Sequence, residues 1–202
     1  LEADLPEAKG GLLPPPEYYD NRYGKGRWRG LTVISLAIGQ GELKANALQI
    51  ANLAAIVANK GYYITPHIGK SVKGASLSQQ LFKRHQTGID TAHFRVVYEG
   101  MYGAVHGAGG TARIARLDSL AICGKTGTAQ NPHGKDHSVF MAFAPMENPK
   151  IAVGVLVENG GYGATWAAPI ASLMIEKYLT DTISRAWLHD RIRNGVLIDT
   201  LQ

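Results

Sequence analysis

The 202-residue sequence holds a single cysteine, Cys123, so it can build neither an intrachain disulfide nor a cysteine-based zinc site. It also lacks any uninterrupted apolar run of the ~20 residues that a spanning helix requires. The nearest approach, residues 47–58, is broken by Gln49 and Asn52. Charge of one sign does not accumulate either: 21 Lys and Arg stand against 16 Asp and Glu, a net +5 spread along the chain. The densest basic groups, residues 22–29 and 185–193, come with no nucleic-acid reader motif, so nucleic acid is not an expected partner. No initiator Met and no charged-then-apolar leader opens the chain, which is therefore expected to be a piece of something longer. There is no internal repeat. A composition 45% hydrophobic and 18% charged suits one globular domain with a buried core.

The first 30 residues are rich in Pro, Gly and Tyr without a sustained period, and they read as an ordered loop. From Asn46 the pattern turns helical: Ile50, Leu53, Ala54 and Val57 share one face, Asn46 with Gln49 forms an N-cap pair, and Gly61 stands where a C-terminal cap belongs. Residues 71–88 are polar and weakly patterned and read as loop. A second helix is expected after Asp90, with Phe94, Val97, Tyr98 and Met101 on one side and an end near His106 and Gly107. Three β-type runs follow, at residues 119–130, 138–144 and 151–158. The last two flank the turn "PMENPK", so they are expected to pair antiparallel, and their near-continuous apolarity predicts that both faces are covered. Pro169 opens a final helix with Ile170, Leu173, Met174 and Tyr178 on one side, and the tail from 181 is expected to pack as a surface helix.

The stretch "ICGKTGTAQ", residues 122–130, is the richest in possible chemistry. A phosphate-binding P-loop needs a glycine five residues before Gly124, where Ser119 stands, and a helix after it, where a loop stands. The string "GAGGTA", residues 107–112, follows a helix where a dinucleotide site needs a strand. Acyl transfer fits better. Lys125 and Thr126 on a strand can pair with a carboxylate, Gly127 leaves room for close approach, and the next backbone N–H can face a developing oxyanion. A strand edge can also hydrogen-bond an extended peptide as an added strand.

The surrounding segments make that triplet specific: "ADLPEAKGGLLP" (3–14), "SLAIGQGELKANALQIANLAAIVANKG" (35–61), "GTA" (110–112), "GKTGTAQ" (124–130), "HSVFMAFAPMENPKIAVGVLVENGG" (137–161) and "AAPIASLMIEKYL" (167–179). In these stretches and their order the sequence resembles the transpeptidase domain of class B penicillin-binding proteins, most closely the cell-elongation members. One departure is mild: Asn46-Ala47-Leu48-Gln49 replaces the family's usual Thr-Pro-Leu-Gln, and Asn still caps. Another is an absence: no serine lies three residues before any lysine, and none is followed two positions later by Asn. The family's Ser-x-x-Lys and Ser-x-Asn motifs would therefore lie upstream of Leu1.

The resemblance implies an α+β fold, part of the penicillin-binding and serine β-lactamase-like architecture: an antiparallel sheet flanked by helices, without its N-terminal elements. Residues 1–180 would form the C-terminal portion of the transpeptidase domain and 181–202 a tail. It further implies that Lys125 and Thr126 bind the terminal carboxylate of a D-alanyl-D-alanine stem peptide or a β-lactam, that Gly127 allows the approach, and that the Thr128 N–H forms half an oxyanion hole. The nucleophilic serine would come from upstream, with no metal or organic cofactor. The whole protein would be membrane-anchored on the periplasmic face of the bacterial inner membrane, with cell-elongation membrane proteins as possible partners. The 202 residues alone are expected to be inactive. Two other readings stand beside this one: a non-catalytic penicillin-binding-like module that binds peptide or a partner, and a related D-alanine carboxypeptidase or β-lactamase, which the "IGQG" and "ENGG" contexts disfavour.

The remaining candidates have plainer readings. His133 and His137 are expected in a loop beside the site, because Pro132 and Gly134 oppose a metal-clamping helix. Cys123 is expected as a small core residue, Met141, Phe143 and Val139 as core, Gly39-Gln40-Gly41 as a turn with at most an indirect part in shaping the site, and Glu158 as a solvated carboxylate. Tyr162 and Trp166 are expected to pack against the last helix in preference to lining a groove.

Overall fold

The computed structural model describes residues 10–70 and 78–197. The "ADLPEAK" stretch, part of the expected loop at 71–88 and the end of the tail lie outside them.

Three strands form the central sheet in the order β3-β4-β5: β3 (Cys123–Ala129), β4 (His137–Ala144) and β5 (Ile151–Val157), all antiparallel. Before them run α1 (Pro16–Tyr23), α2 (Gly30–Ala37), α3 (Ala47–Ala58) and α4 (Thr91–His106), with a small sheet of β1 (Tyr62–Ile64) and β2 (Arg84–Gln86) between α3 and α4. After them come α5 (Ala167–Thr180) and α6 (Ala186–Asn194). Both faces of the sheet are covered, as the continuous apolarity predicts. On one side Phe140, Ala142, Ala144 and Val153 pack with Ala168, Ala171 and Ile175 of α5. On the other, Cys123 and Phe143 pack with Val57 of α3 and with Phe94, Tyr98 and Met101 of α4.

The α3 start is a full capping box: Asn46 Oδ1 accepts the Gln49 N–H at 2.8 Å, and Gln49 Oε1 accepts the Asn46 N–H at 3.0 Å. Gly154 explains how α3 reaches β5. A Cβ there would lie 2.6 Å from both Ala47 O and Ala51 N, so helix backbone rests directly on the strand. At the other end the C-cap is Asn59, and Lys60 at φ 56 shares the reversal with the expected Gly61 at φ 112.

Several expectations are corrected. The first 30 residues contain α1 and the start of α2. Pro16 presets the first turn of α1, and Tyr19 is its only buried residue, so no period could show. Trp28 anchors it by donating from Nε1 to Asp20 Oδ1 at 2.9 Å. α2 is apolar nearly all round with no buried residue, which hides a period in a different way. Within 71–88, the polar triplet of β2 is a strand because its side chains stack: Tyr63 and His85 rings lie 4.9 Å apart, and Arg84 sits 4.7 Å over Tyr62. In α4, Val97 is exposed, and Val105 joins Phe94, Tyr98 and Met101 inside. The helix expected to open at Pro169 begins at Ala167, two residues earlier, and its expected face is only partly the buried one: Leu173 is buried. Met174 and Tyr178 are exposed, whereas Ala168, Ala171, Ser172 and Ile175 face the sheet. Small residues let the helix approach a surface already filled by Phe140 and Val153. The tail does form a packed helix, α6, with Leu188 buried.

Candidate functional site

β4 occupies one edge of β3, and the other edge carries no strand among the described residues. Successive β3 side chains alternate between the two packed faces. Cys123 and Lys125 lie toward α4, and Gly124, Thr126 and Thr128 toward α5. Gly124 serves packing and not anion binding: a Cβ on it would sit 2.3 Å from Phe140 Cζ.

Lys125 is exposed, and its Nζ donates to Thr126 O at 3.0 Å and reaches Thr126 Oγ1 at 3.3 Å. Thr126 Oγ1 lies 3.0 Å from Thr111 Oγ1, which continues the chain of polar groups. Gly110 is what brings Thr111 there. A Cβ at 110 would meet Ala104 O at 2.4 Å, so only glycine lets the loop fold back on the end of α4, where the Ala112 N–H donates to Ala104 O. A recess of about 340 Å³ opens beside these groups, lined by Gly103, Gly107, Gly110, Thr111 and Lys125. The sequence marks "GTA" at 110–112 but gives no sign that the Thr111 hydroxyl meets the Thr126 hydroxyl. The Gly-Gly pair before it is the one local signal of the fold-back.

Further along, a Cβ on Gly127 would come within 3.3 Å of Val139 Cβ, so the glycine keeps this part of the strand low. Gly163 lies against the β3–β4 pair, where a Cβ would meet Gly127 O at 2.6 Å and Val139 O at 2.4 Å. Neighbouring Tyr162 is 75% exposed, against the expectation that it packs on the last helix, because its loop is pinned through the backbone: Ser138 Oγ donates to Tyr162 O and accepts the Ala167 N–H. Trp166 is half-buried, and its ring lies against Gly195, the C-cap of α6, whereas the expectation named the helix opened by Pro169. Gln40, from the turn after α2, reaches β3 across 88 residues of sequence. Its Nε2 donates to Thr128 O at 2.9 Å, and its Oε1 accepts the Gln130 N–H at 3.3 Å.

The remaining candidates fall outside this cluster. Cys123 is buried, and burial pushes its thiol up to about 12, so it stays protonated. His133 is exposed in the turn after β3, and His137 opens β4, where its Nδ1 accepts the Asn159 N–H at 3.0 Å. Phe143 is fully buried, Met141 and Val139 are half-buried, and Glu158 is exposed. No helix among the described residues is long and apolar enough to cross a membrane.

The arrangement is an ammonium, two hydroxyls and a free strand edge at the mouth of a glycine-lined recess. Residues 2–176 match the penicillin binding protein transpeptidase domain. The chain belongs to that family. Among curated transpeptidases, it is 35% identical to the peptidoglycan D,D-transpeptidase MrdA of Haemophilus influenzae, over 89% of this chain and 30% of that protein. A crystal structure of Pseudomonas aeruginosa PBP2 in complex with WCK 5153 superposes with a TM-score of 0.73 at 38% identity, covering 85% of this chain and 38% of that one. Helicobacter pylori PBP2 in its complex with MreC gives a TM-score of 0.73 at 27% identity, over 87% of this chain and 32% of that one. The chain thus spans under a third of the curated transpeptidase it matches. The expected transpeptidase fold, helices around an antiparallel sheet, is the one observed.

Proposed function

We propose that this chain supplies the carboxylate-binding and oxyanion side of a peptidoglycan D,D-transpeptidase, with Lys125 and Thr126 holding the terminal carboxylate of a D-alanyl-D-alanine peptide. The observation that carries the reading is the convergence of the Lys125 ammonium with the Thr126 and Thr111 hydroxyls on the free edge of β3. A carboxylate accepts charge-assisted hydrogen bonds from such donors more strongly than neutral groups do. Thr128 adds a donor. Residues of an antiparallel strand present N–H and C=O to the same edge, so the Thr128 N–H stands beside the carbonyl that meets Gln40. In the whole protein a serine from Ser-x-x-Lys would attack the penultimate D-alanine carbonyl, D-alanine would leave with a proton, and the acyl group would pass from serine to a neighbouring amine. Thr128 N–H would then face the tetrahedral oxyanion, Gly127 would leave room for the donor peptide, and residues 1–180 would be the C-terminal portion of the catalytic domain. Membrane anchoring, a periplasmic setting and a cell-elongation partner belong to the same proposal. MreC seated on the Helicobacter pylori relative supports the partner class.

The test is titration of the 202-residue chain with diacetyl-Lys-D-Ala-D-Ala followed by NMR. Shifts should concentrate at residues 125–128 and at Thr111, and Lys125→Ala should abolish them; shifts elsewhere, or binding unaffected by Lys125→Ala, refute the reading. Fluorescent penicillin should leave the chain unlabelled after denaturation. A chimera joining it to the preceding, Ser-x-x-Lys-bearing part of a relative's domain should become labelled.

A further inference from the structure

Gln40 reaches the open edge of β3 from a distant part of the chain and hydrogen-bonds the backbone at Thr128 and at Gln130, just past the strand end. It does so at both ends of its amide, donating to Thr128 O and accepting from Gln130 N–H. In an antiparallel ladder those two groups would meet two different residues, one opposite Thr128 and one opposite Gln130; the amide takes both, as one residue of an added parallel strand would. The turn is built to aim it. Gly39 at φ 77 and Gly41 at φ 71 flank Gln40 in the left-handed region, and the Gln40 N–H donates to Ser35 O, which ties the tip back to α2. Gly39 also closes α2 by donating to Leu36 O. A side chain held at its backbone and at both amide atoms has little freedom left.

The strand it grips needs an anchor. β3 contains Gly124 and Gly127 within seven residues and, among the described residues, has a strand neighbour on one side only, which weakens its backbone where the proposed oxyanion donor sits. We propose that Gln40 is a positioning residue for the site: it fixes the Thr128 peptide group and ends the substrate-pairing edge of β3 at Thr128. Upstream, the Thr126 backbone groups and the Thr128 N–H remain for an extended acyl-donor peptide. Beyond it, the position that the next peptide residue would take is filled by the Gln40 amide. The clamp is a property of the chain itself. Its meaning for substrate register rests on the transpeptidase reading.

The experiment uses the 202-residue chain with Gln40→Met, which keeps length and removes both hydrogen bonds, and Gln40→Glu, which keeps the acceptor for Gln130 and loses the donor to Thr128. Amide exchange at Gln130 should speed up about tenfold in Gln40→Met and stay near wild type in Gln40→Glu. Exchange at Ala142 and Val153 in the sheet interior should not change in either. With diacetyl-Lys-D-Ala-D-Ala, both variants should bind several-fold more weakly, with the ligand-induced shift at Thr128 reduced and that at Lys125 retained. Unchanged Gln130 exchange in Gln40→Met overturns the clamp whether or not peptide binds. Changed exchange with unaltered peptide affinity and Thr128 shifts overturns the positioning role. Failure of the wild-type chain to bind peptide, or binding indifferent to Lys125→Ala, overturns the transpeptidase reading and with it the register, leaving the exchange result to judge the clamp.

Discussion

The Phe140 ring lies across Gly124, so close that a Cβ on the glycine would stand 2.3 Å from Phe140 Cζ. Phe140 is fully buried and belongs to the α5-facing core, while Gly124 is the second residue of the strand that carries Lys125 and Thr126. The first glycine of "GKTG" thus links core packing to the site.

Gly124→Ala is therefore expected to cost about 1–3 kcal/mol, the usual range for overpacking a filled core. Phe140 is fully buried in the cluster that includes Val105, Ala115 and Ile175, so its ring has little room to yield. Thermal unfolding should show the loss. Gly26→Ala has nothing within 4 Å but sits at φ 71, so it should cost backbone strain alone and serves as the comparison.

The buried ion pair beneath the tail gives a second expectation. Glu176 and Arg185 meet at 2.9 Å with side-chain exposures of 2% and 11%. Burial on its own raises the Glu176 carboxyl, but hydrogen bonds from the Ser184 hydroxyl and N–H and from Arg185 outweigh it and hold the group below its ordinary 4.5. A carboxyl lowered in the folded state contributes stability that is complete above its unfolded value and is lost as pH falls through the folded one. Glu176→Gln should cost about 3 kcal/mol at neutral pH, since it strands a buried guanidinium, and should flatten the decline in stability below about pH 4.5. Chemical denaturation from pH 3 to 7 would read both, and an unchanged acid slope would remove Glu176 from the account.

Much of this fold was legible because local chemistry and packing agree. Asn46 and Gln49 announce a capping box, and they form one. The apolar runs at 138–144 and 151–158 announce covered strands, and both faces are covered. What was not legible depends on partners distant in sequence. The α5 face runs through alanines because Phe140 fills the space opposite, and no helical period within α5 reports that. The polar β2 is a strand because Tyr62 and Tyr63 supply its stacking partners. At the proposed site, the motif names Lys125 to Thr128, whereas the contacts of Thr111 and Gln40 with that strand have no sequence signal. Their contacts cross 15 and 88 residues through loops shaped by Gly110, Gly39 and Gly41.

Cys123 gives a direct check on the α4 side of the sheet. It is fully buried in the cluster with Phe94, Tyr98 and Phe143, and its thiol is pushed up to about 12. A thiol reagent at pH 8 should not react with the native chain and should react fully once denaturant is added, because only the thiolate is nucleophilic. Fast reaction under native conditions would mean that α4 leaves this end of β3 open.

Thr111 separates site chemistry from fold stability. Its hydroxyl stands 3.0 Å from that of Thr126, and the pair is exposed, so removing it should scarcely affect folding. Thr111→Val keeps the branched shape and deletes the hydroxyl. Thr126 Oγ1 then loses the partner on its far side and is held only through Lys125, 3.3 Å away. One hydrogen bond of this kind carries about 0.5–1.5 kcal/mol, so affinity for diacetyl-Lys-D-Ala-D-Ala should fall between about twofold and tenfold. The melting temperature should stay within a degree or two of the parent. Thr111→Ser, which retains the hydroxyl, should bind nearly as the parent does. If valine and serine bind alike, the Thr111 hydroxyl plays no part in holding the carboxylate, and the site reduces to β3 alone.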